Sequence, residues 1–215
     1  MKIASHWVHG VLLDAGCGAK PYYSLLRPKL ERYIGLDYPP YLESGAQPTQ
    51  TEVFGDVCRL PFPDSYFDCA LCTQVLEHVS EPGMAIAELH RVLAPGGVLI
   101  LTAPRSEAVH GAPYDFFRYT KYGLWNLLQK DGKFEVERTE YLGFFWADVS
   151  RQWDVYAFEH LGGPTLVGFV LRRILLFPAL WISIVLVNIV GGIILDRIDK
   201  IEASSPNYLV VARKK

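Results

Sequence analysis

Three aspartates, Asp14, Asp37 and Asp56, each stand at or just past the end of a run that reads as a strand, and Gly16 and Gly18 follow the first of them. The run Val11-Leu12-Leu13 has the character of a buried parallel strand, and it opens onto a turn where a Cβ would hold the backbone away from a ligand. In an open α/β sheet, ligands lie outside the carboxyl ends of the strands, near the point where the strand order reverses. The three acids therefore face one crevice. Asp37, after the second strand, is placed to accept from two ribose hydroxyls, since a carboxylate can take a diol with both oxygens. Asp56, one loop further on, can accept from the exocyclic amine of a base.

A dinucleotide is the obvious competitor for such a turn, as in a nicotinamide-dependent oxidoreductase. Its fingerprint requires a third glycine three residues after the second, where this chain has Pro21. Without that glycine, close helix packing and pyrophosphate binding at a helix start lose their usual support. A ligand with ribose and adenine but no diphosphate fits better, and S-adenosylmethionine is such a ligand.

The elements needed to position these groups can be read along the chain. Strands are expected at Val11 to Asp14, Tyr33 to Asp37, Thr51 to Phe54, Phe67 to Cys72 and Val98 to Thr102. Helical spacing of Ile86, Leu89, Val92 and Leu93 marks a helix from Pro82 to Leu93, stopped by Pro95-Gly96-Gly97. Thr120 can cap a helix carrying Leu124, Leu127 and Leu128 and ending near Gly132. Phe134 to Tyr141 alternates as a strand with one wetter face, and Asn207 to Ala212 is a last apolar strand. Strands alternating with helices give an α/β fold with a mostly parallel sheet.

With these residues in place, the chain resembles a class I S-adenosylmethionine-dependent methyltransferase of the small-molecule type that includes quinone-pathway enzymes. The resemblance rests on Leu13-Asp14-Ala15-Gly16-Cys17-Gly18, Gly35-Leu36-Asp37, Gly55-Asp56-Val57 with Leu60-Pro61-Phe62-Pro63-Asp64, Phe67-Asp68, Val75-Leu76-Glu77-His78-Val79, and Glu88 to Gly97. It implies a Rossmann-like seven-stranded sheet with helices on both faces and an antiparallel last strand. It further implies that Asp14, Ala15, Gly16 and Gly18 line the methionine and ribose end and that Asp37 holds the ribose diol. Asp56 and Val57 would hold the adenine, and Thr73 and Gln74 would form the wall beside the sulfonium.

The acceptor side is expected after the fifth strand, in His110-Gly111-Ala112-Pro113-Tyr114-Asp115-Phe116-Phe117-Arg118-Tyr119-Thr120. This stretch is similar to a segment of bacterial methyltransferases from cell-envelope polysaccharide gene clusters. An oxygen nucleophile gains from a base that takes its proton near neutral pH, and His110 is the candidate. Tyr114, Asp115, Arg118 and Tyr119 are the candidate acceptor-binding residues. A blander reading stands beside it, in which the aromatic residues are core and Arg118 pairs with Asp115.

Ile174 to Leu195 holds 22 residues without a charged side chain, 17 of them apolar. As one helix it would measure roughly 33 Å, enough to cross a bilayer, but a crossing leaves only Asp196 to Pro206 to bring the last strand back. Pro178 can instead divide it into helices at 165–177 and 179–195, which dip into one leaflet as a hairpin or lie in the interface. Trp146, Trp153, Trp181, Arg172 and Arg173 suit headgroup level. A homodimer interface or an extra core layer is the alternative. The expected domain is thus a single one over 1–215, with an apolar helical insertion at 161–196.

Composition bounds the remaining classes. A net charge of -2, from 21 basic and 23 acidic residues, gives no track for a nucleic-acid backbone. Cys69 and Cys72 point to opposite faces of a strand, and no second pair completes a zinc site, so no metal is expected. Reduced thiols and the lack of an apolar leader in Met1 to Gly10 suggest a cytoplasmic location, with the inner membrane face as a variant. The expected function is methyl transfer to a small or lipid-linked acceptor. A catalytically silent cofactor-binding or membrane-scaffold module is the alternative.

Overall fold

The computed structural model describes residues 5–39, 50–160, 182, 185–198 and 205–215. Their contacts divide the chain into two compact units, one of Met1–Pro104, Gly111–Glu140 and Tyr208–Lys215, the other of Arg105–His110 and Tyr141–Asn207. The expected insertion at 161–196 falls within the second unit, which also takes in Arg105–His110.

The first unit is built on a seven-stranded sheet. Its strands are β1 (Val11–Ala15), β2 (Arg32–Asp37), β3 (Val53–Phe54), β4 (Phe67–Thr73), β5 (Leu93–Pro104), β6 (Phe134–Tyr141) and β7 (Asn207–Lys214). The order is β3-β2-β1-β4-β5-β7-β6, mostly parallel with an antiparallel strand. The order reverses between β1 and β4, so the turn after β1 opens at the switch point that the sequence reading required. Among the described residues, three α-helices accompany the sheet: α1 (Tyr23–Leu26), α2 (Pro82–Val92) and α3 (Lys121–Gln129). Leu12, Leu13, Ala70, Leu71, Leu99 and Ile100 are fully buried, which explains why the central strands read as continuous apolar runs. β6 lies at the sheet edge, with Phe134 buried and charged neighbours in the open.

Two element boundaries differ from expectation. The third strand shrinks to two residues; just before it the Thr51 hydroxyl and the Glu52 N–H both donate to the Gly35 carbonyl of β2, and the Glu52 carboxylate accepts the Gly35 N–H. Pro95-Gly96-Gly97 does not separate α2 from a later strand. β5 begins directly at Leu93 and runs through the glycines, with Gly96 at φ +75 and the β4–β5 register slipping between Phe67 and Cys69. A local break that reads as a stop is therefore a bulge. The Thr120 cap forms as expected, accepting from the Gly123 N–H at 3.1 Å.

Arg91 ties α2 to the loop before β4. Its guanidinium donates to both oxygens of Glu88 at 2.8 Å, to Asp64 at 2.7 Å, and to the Leu60 and Phe62 carbonyls at 2.9 and 2.8 Å. Glu88 in turn accepts the Leu60 N–H at 2.8 Å, and these bonds hold its carboxyl below the usual range. The two recurrent segments Leu60 to Asp64 and Glu88 to Gly97 thus form one joint.

In the second unit, α4 (Phe145–His160) is followed by a π-helical stretch, Val187–Leu195, that runs into α5 (Asp196–Ile198). Asp196 supplies the missing acceptors at the start of α4, taking the Phe144 and Ala147 N–H groups at 3.0 Å each. Ile182, Val185, Leu186, Val190, Ile193 and Ile194 are exposed. The expected helix at 165–177 lies outside the described residues, as do 179–181 and 183–184 of the second expected helix. Among the described residues no helix is long and apolar enough to cross a membrane.

Replacing Arg91 by Ala should lower the urea midpoint by the equivalent of about 1–3 kcal/mol, the lower end applying because the guanidinium is partly exposed. Arg91→Lys should recover little of this, since an ammonium cannot fork to four acceptors.

Candidate functional site

The turn after β1 is held by the end of β2. The N–H groups of Gly16 and Cys17 both donate to the Leu36 carbonyl, at 2.8 and 3.0 Å, and the Gly18 N–H donates to Asp37 Oδ2 at 3.0 Å. Gly16 has φ +73, and a Cβ there would lie 2.3 Å from Val75. Gly18 has φ +49 with open space where its Cβ would stand. The first glycine serves packing; the second keeps the backbone bare towards a cavity.

That cavity measures about 560 Å³ and opens beside both glycines. Leu36, Asp37 and Tyr38 form one wall, and Gly55, Asp56, Val57 and Cys58 the next. Gln74, Val75, His78, Val79 and Ser80 continue it towards Tyr114 and Phe116. Asp37 is largely buried, and its second oxygen accepts the Tyr38 N–H at 2.9 Å. Asp56 is fixed by its own turn, accepting the Cys58 N–H at 2.8 Å. Gln74 sits at φ +55 with its amide on Thr102 Oγ1 at 3.0 Å.

Of the residues expected at the cofactor, Gly16, Gly18, Asp37, Asp56, Val57 and Gln74 come together on this cavity. Asp14, Ala15 and Thr73 do not line it. Asp14 is 1% exposed and accepts from the Tyr33 hydroxyl, while its Oδ1 is buried with no hydrogen-bond partner among the described residues. Burial pushes its carboxyl up to about 6, against the lowering effect of the Tyr33 bond and the Lys20 charge.

On the acceptor side, Tyr114 lines the cavity, and Asp115, Arg118 and Tyr119 do not. Arg118 forks onto Asp115 at 2.6 and 2.8 Å, as the blander reading had it. The Tyr119 hydroxyl donates to the Leu76 carbonyl at 3.0 Å. Both contacts brace the loop. His110 belongs to the second unit, where its Nδ1 stands 3.0 Å from the Ala108 carbonyl. Sequence reasoning missed Tyr38, Cys58 and Ser80 as wall residues. They sit beside recurrent motif positions without being part of them, so only the path of the loops brings them in.

A family model described as "Methyltransferase domain" matches residues 13–101. Malonyl-[acyl-carrier protein] O-methyltransferase of Serratia marcescens is 34% identical over 94 residues, 42% of this chain and 37% of that protein. A ubiquinone/menaquinone biosynthesis C-methyltransferase of Saccharophagus degradans is 37% identical over 92 residues, 41% of this chain and 36% of that one. The chain thus spans little more than a third of the length of these two relatives. Among solved structures, a [4+2]-cyclase superposes with a TM-score of 0.57 at 25% identity, covering 99% of this chain and 79% of its own.

Asp14→Asn should stabilise the protein at pH 8 by up to about 3 kcal/mol, from a shift of about two units at 1.36 kcal/mol each. The folded carboxyl keeps its proton to about pH 6 and the unfolded one releases it near 3.8, so the cost of the buried charge is absent below about pH 4 and complete above pH 6. Urea unfolding of both proteins at pH 4 and pH 8 checks this: the difference should appear only at the higher pH.

Proposed function

We propose that this chain, which carries a class I S-adenosylmethionine-dependent methyltransferase domain, transfers a methyl group to the oxygen of a small or lipid-linked acceptor. The observation that carries this reading is the buried Asp37 carboxylate at the end of β2, on the same cavity as the bare backbone of Gly18 and the Asp56–Val57 turn. The residues present fit S-adenosylmethionine. Asp37 suits a ribose diol, Asp56 and Val57 offer one polar and one apolar contact to adenine, and Gly16, Gly18 and Gln74 border the remainder. When bound, the cofactor supplies a methyl group already activated on a sulfonium. The protein's part is therefore to position an acceptor in line and to exclude water, and Tyr114 and Phe116 are the apolar surface available for that.

Oxygen as the accepting atom draws support from the malonyl-[acyl-carrier protein] O-methyltransferase among the relatives. A lipid-linked acceptor draws support from the quinone-pathway relative and from the uncharged segment 174–195. That segment, within 165–195, provides a peripheral contact with the membrane, and the exposed apolar side chains between Ile182 and Ile194 favour it. Flotation with vesicles of anionic phospholipid should carry the protein upward. If it stays at the bottom and elutes as a dimer without detergent, the segment serves a homodimer instead.

Calorimetric titration tests the main reading. S-adenosylmethionine and its demethylated product should bind and NADH should not. Methyl-labelled cofactor with a total lipid extract should then yield labelled lipid. Binding without label would favour the silent module, a reading to which the likeness to a [4+2]-cyclase lends weight.

A further inference from the structure

The geometry points to His78 as the general base of the transfer, held by the Tyr114 carbonyl in the one neutral tautomer that can take a proton at Nε2. This rests on the methyl-transfer reading above and places the base on the cavity wall, where the sequence had suggested His110.

His78 ends a short 3-10 turn, Leu76–His78, that follows β4, and it lines the cavity together with Val79 and Tyr114. Its Nδ1 lies 2.5 Å from the Tyr114 carbonyl oxygen. A carbonyl can only accept, so Nδ1 must carry the hydrogen, and in a neutral imidazole the lone pair is then on Nε2. The contact is part of a strap rather than an isolated bond. The Phe116 N–H donates to the Glu77 carbonyl at 2.7 Å, the Phe117 N–H to the same oxygen at 3.3 Å, and the Tyr119 hydroxyl to the Leu76 carbonyl. The turn that carries the imidazole and the loop that carries the aromatic wall are thus one piece. An acceptor lying against Tyr114 meets a histidine whose tautomer is already set.

The chemistry balances with the groups named. The acceptor oxygen bonds to the methyl carbon, the carbon–sulfur pair stays on sulfur, and the hydroxyl proton passes to Nε2. The imidazolium then returns that proton to water. The products are a methyl ether or ester and the demethylated cofactor. No other reactant is needed.

The test separates this role from the methyl-transfer reading itself. In protein labelled with 15N at histidine, long-range ring correlations at pH 8 should show His78 protonated at Nδ1 only, the signal being assigned by its loss in His78→Asn. Protonation at Nε2, or an imidazolium at that pH, overturns the proposal without any acceptor being known. His78→Asn keeps a δ-position N–H for the Tyr114 carbonyl and removes the base. It should bind the demethylated cofactor as the native protein does and incorporate label from the methyl-labelled cofactor into lipid extract about 100-fold more slowly. Full turnover in His78→Asn, or loss of turnover in His110→Ala with His78→Asn fully active, also overturns it. Failure of the native protein to bind the cofactor at all would instead strike the methyl-transfer reading.

Discussion

The site depends on one clip between two strand ends. The Leu36 carbonyl takes the N–H groups of Gly16 and Cys17, and the adjacent Asp37 takes that of Gly18. A turn with two left-handed glycines has little conformational preference of its own, because glycine gives up more backbone freedom on folding than any other residue. Borrowing acceptors from β2 fixes the turn and orients the Asp37 carboxylate in the same act. Parallel pairing of Asp14 with Gly35 and of Ala15 with Leu36 sets the register that makes this possible. A Cβ on Gly35 would lie 2.5 Å from Lys20 Cε and 2.7 Å from Cys17 Sγ, so a larger residue there would force both side chains to move. The cavity therefore inherits its shape from strand register, the most rigid feature of the sheet.

A second set of backbone bonds builds the opposite wall. The loop through Tyr114 to Tyr119 would have no regular structure alone, but it lays successive N–H groups on the carbonyls of Glu77 and, at its end, of Pro104. Phe116 and Tyr114 can then remain partly exposed, where an isolated loop would tend to bury them. The strap also accounts for the Arg118–Asp115 fork, which holds the loop from within. Side chains that looked like acceptor ligands in the sequence thus turn out to be the fastening of the wall that presents others.

How far the sequence could be read follows from the range of each interaction. The first, second and fourth strands, the Thr120 cap and the acid after β2 depend on neighbours within a few residues, and each stands where its local pattern places it. The bulge at Gly96 does not, because pairing with β4 overrides the local Pro-Gly-Gly signal. Phe67-Asp68 shows a different limit. The pair is recognisable as a motif, yet its reason is structural: Asp68 accepts the Val11 N–H at 2.8 Å and fills the space a Cβ on Gly10 would need. Asp14 is similar. Its position before the glycines suggested a ligand, whereas in the structure it is buried, accepts from the Tyr33 hydroxyl and does not line the cavity. The His78 tautomer lay beyond reach of the sequence, for it is set by a carbonyl 36 residues away.

The central claim is that the cavity beside Gly18 takes the adenosyl part of S-adenosylmethionine, with Asp37 on the ribose diol. Calorimetric comparison of S-adenosylhomocysteine with its 2′,3′-dideoxy analogue tests it directly. The dideoxy ligand should bind roughly 10- to 100-fold more weakly, the effect of losing hydrogen bonds to a buried carboxylate. Asp37→Ala should remove that difference along with most of the affinity. Equal binding of the two ligands to the native protein would contradict the account.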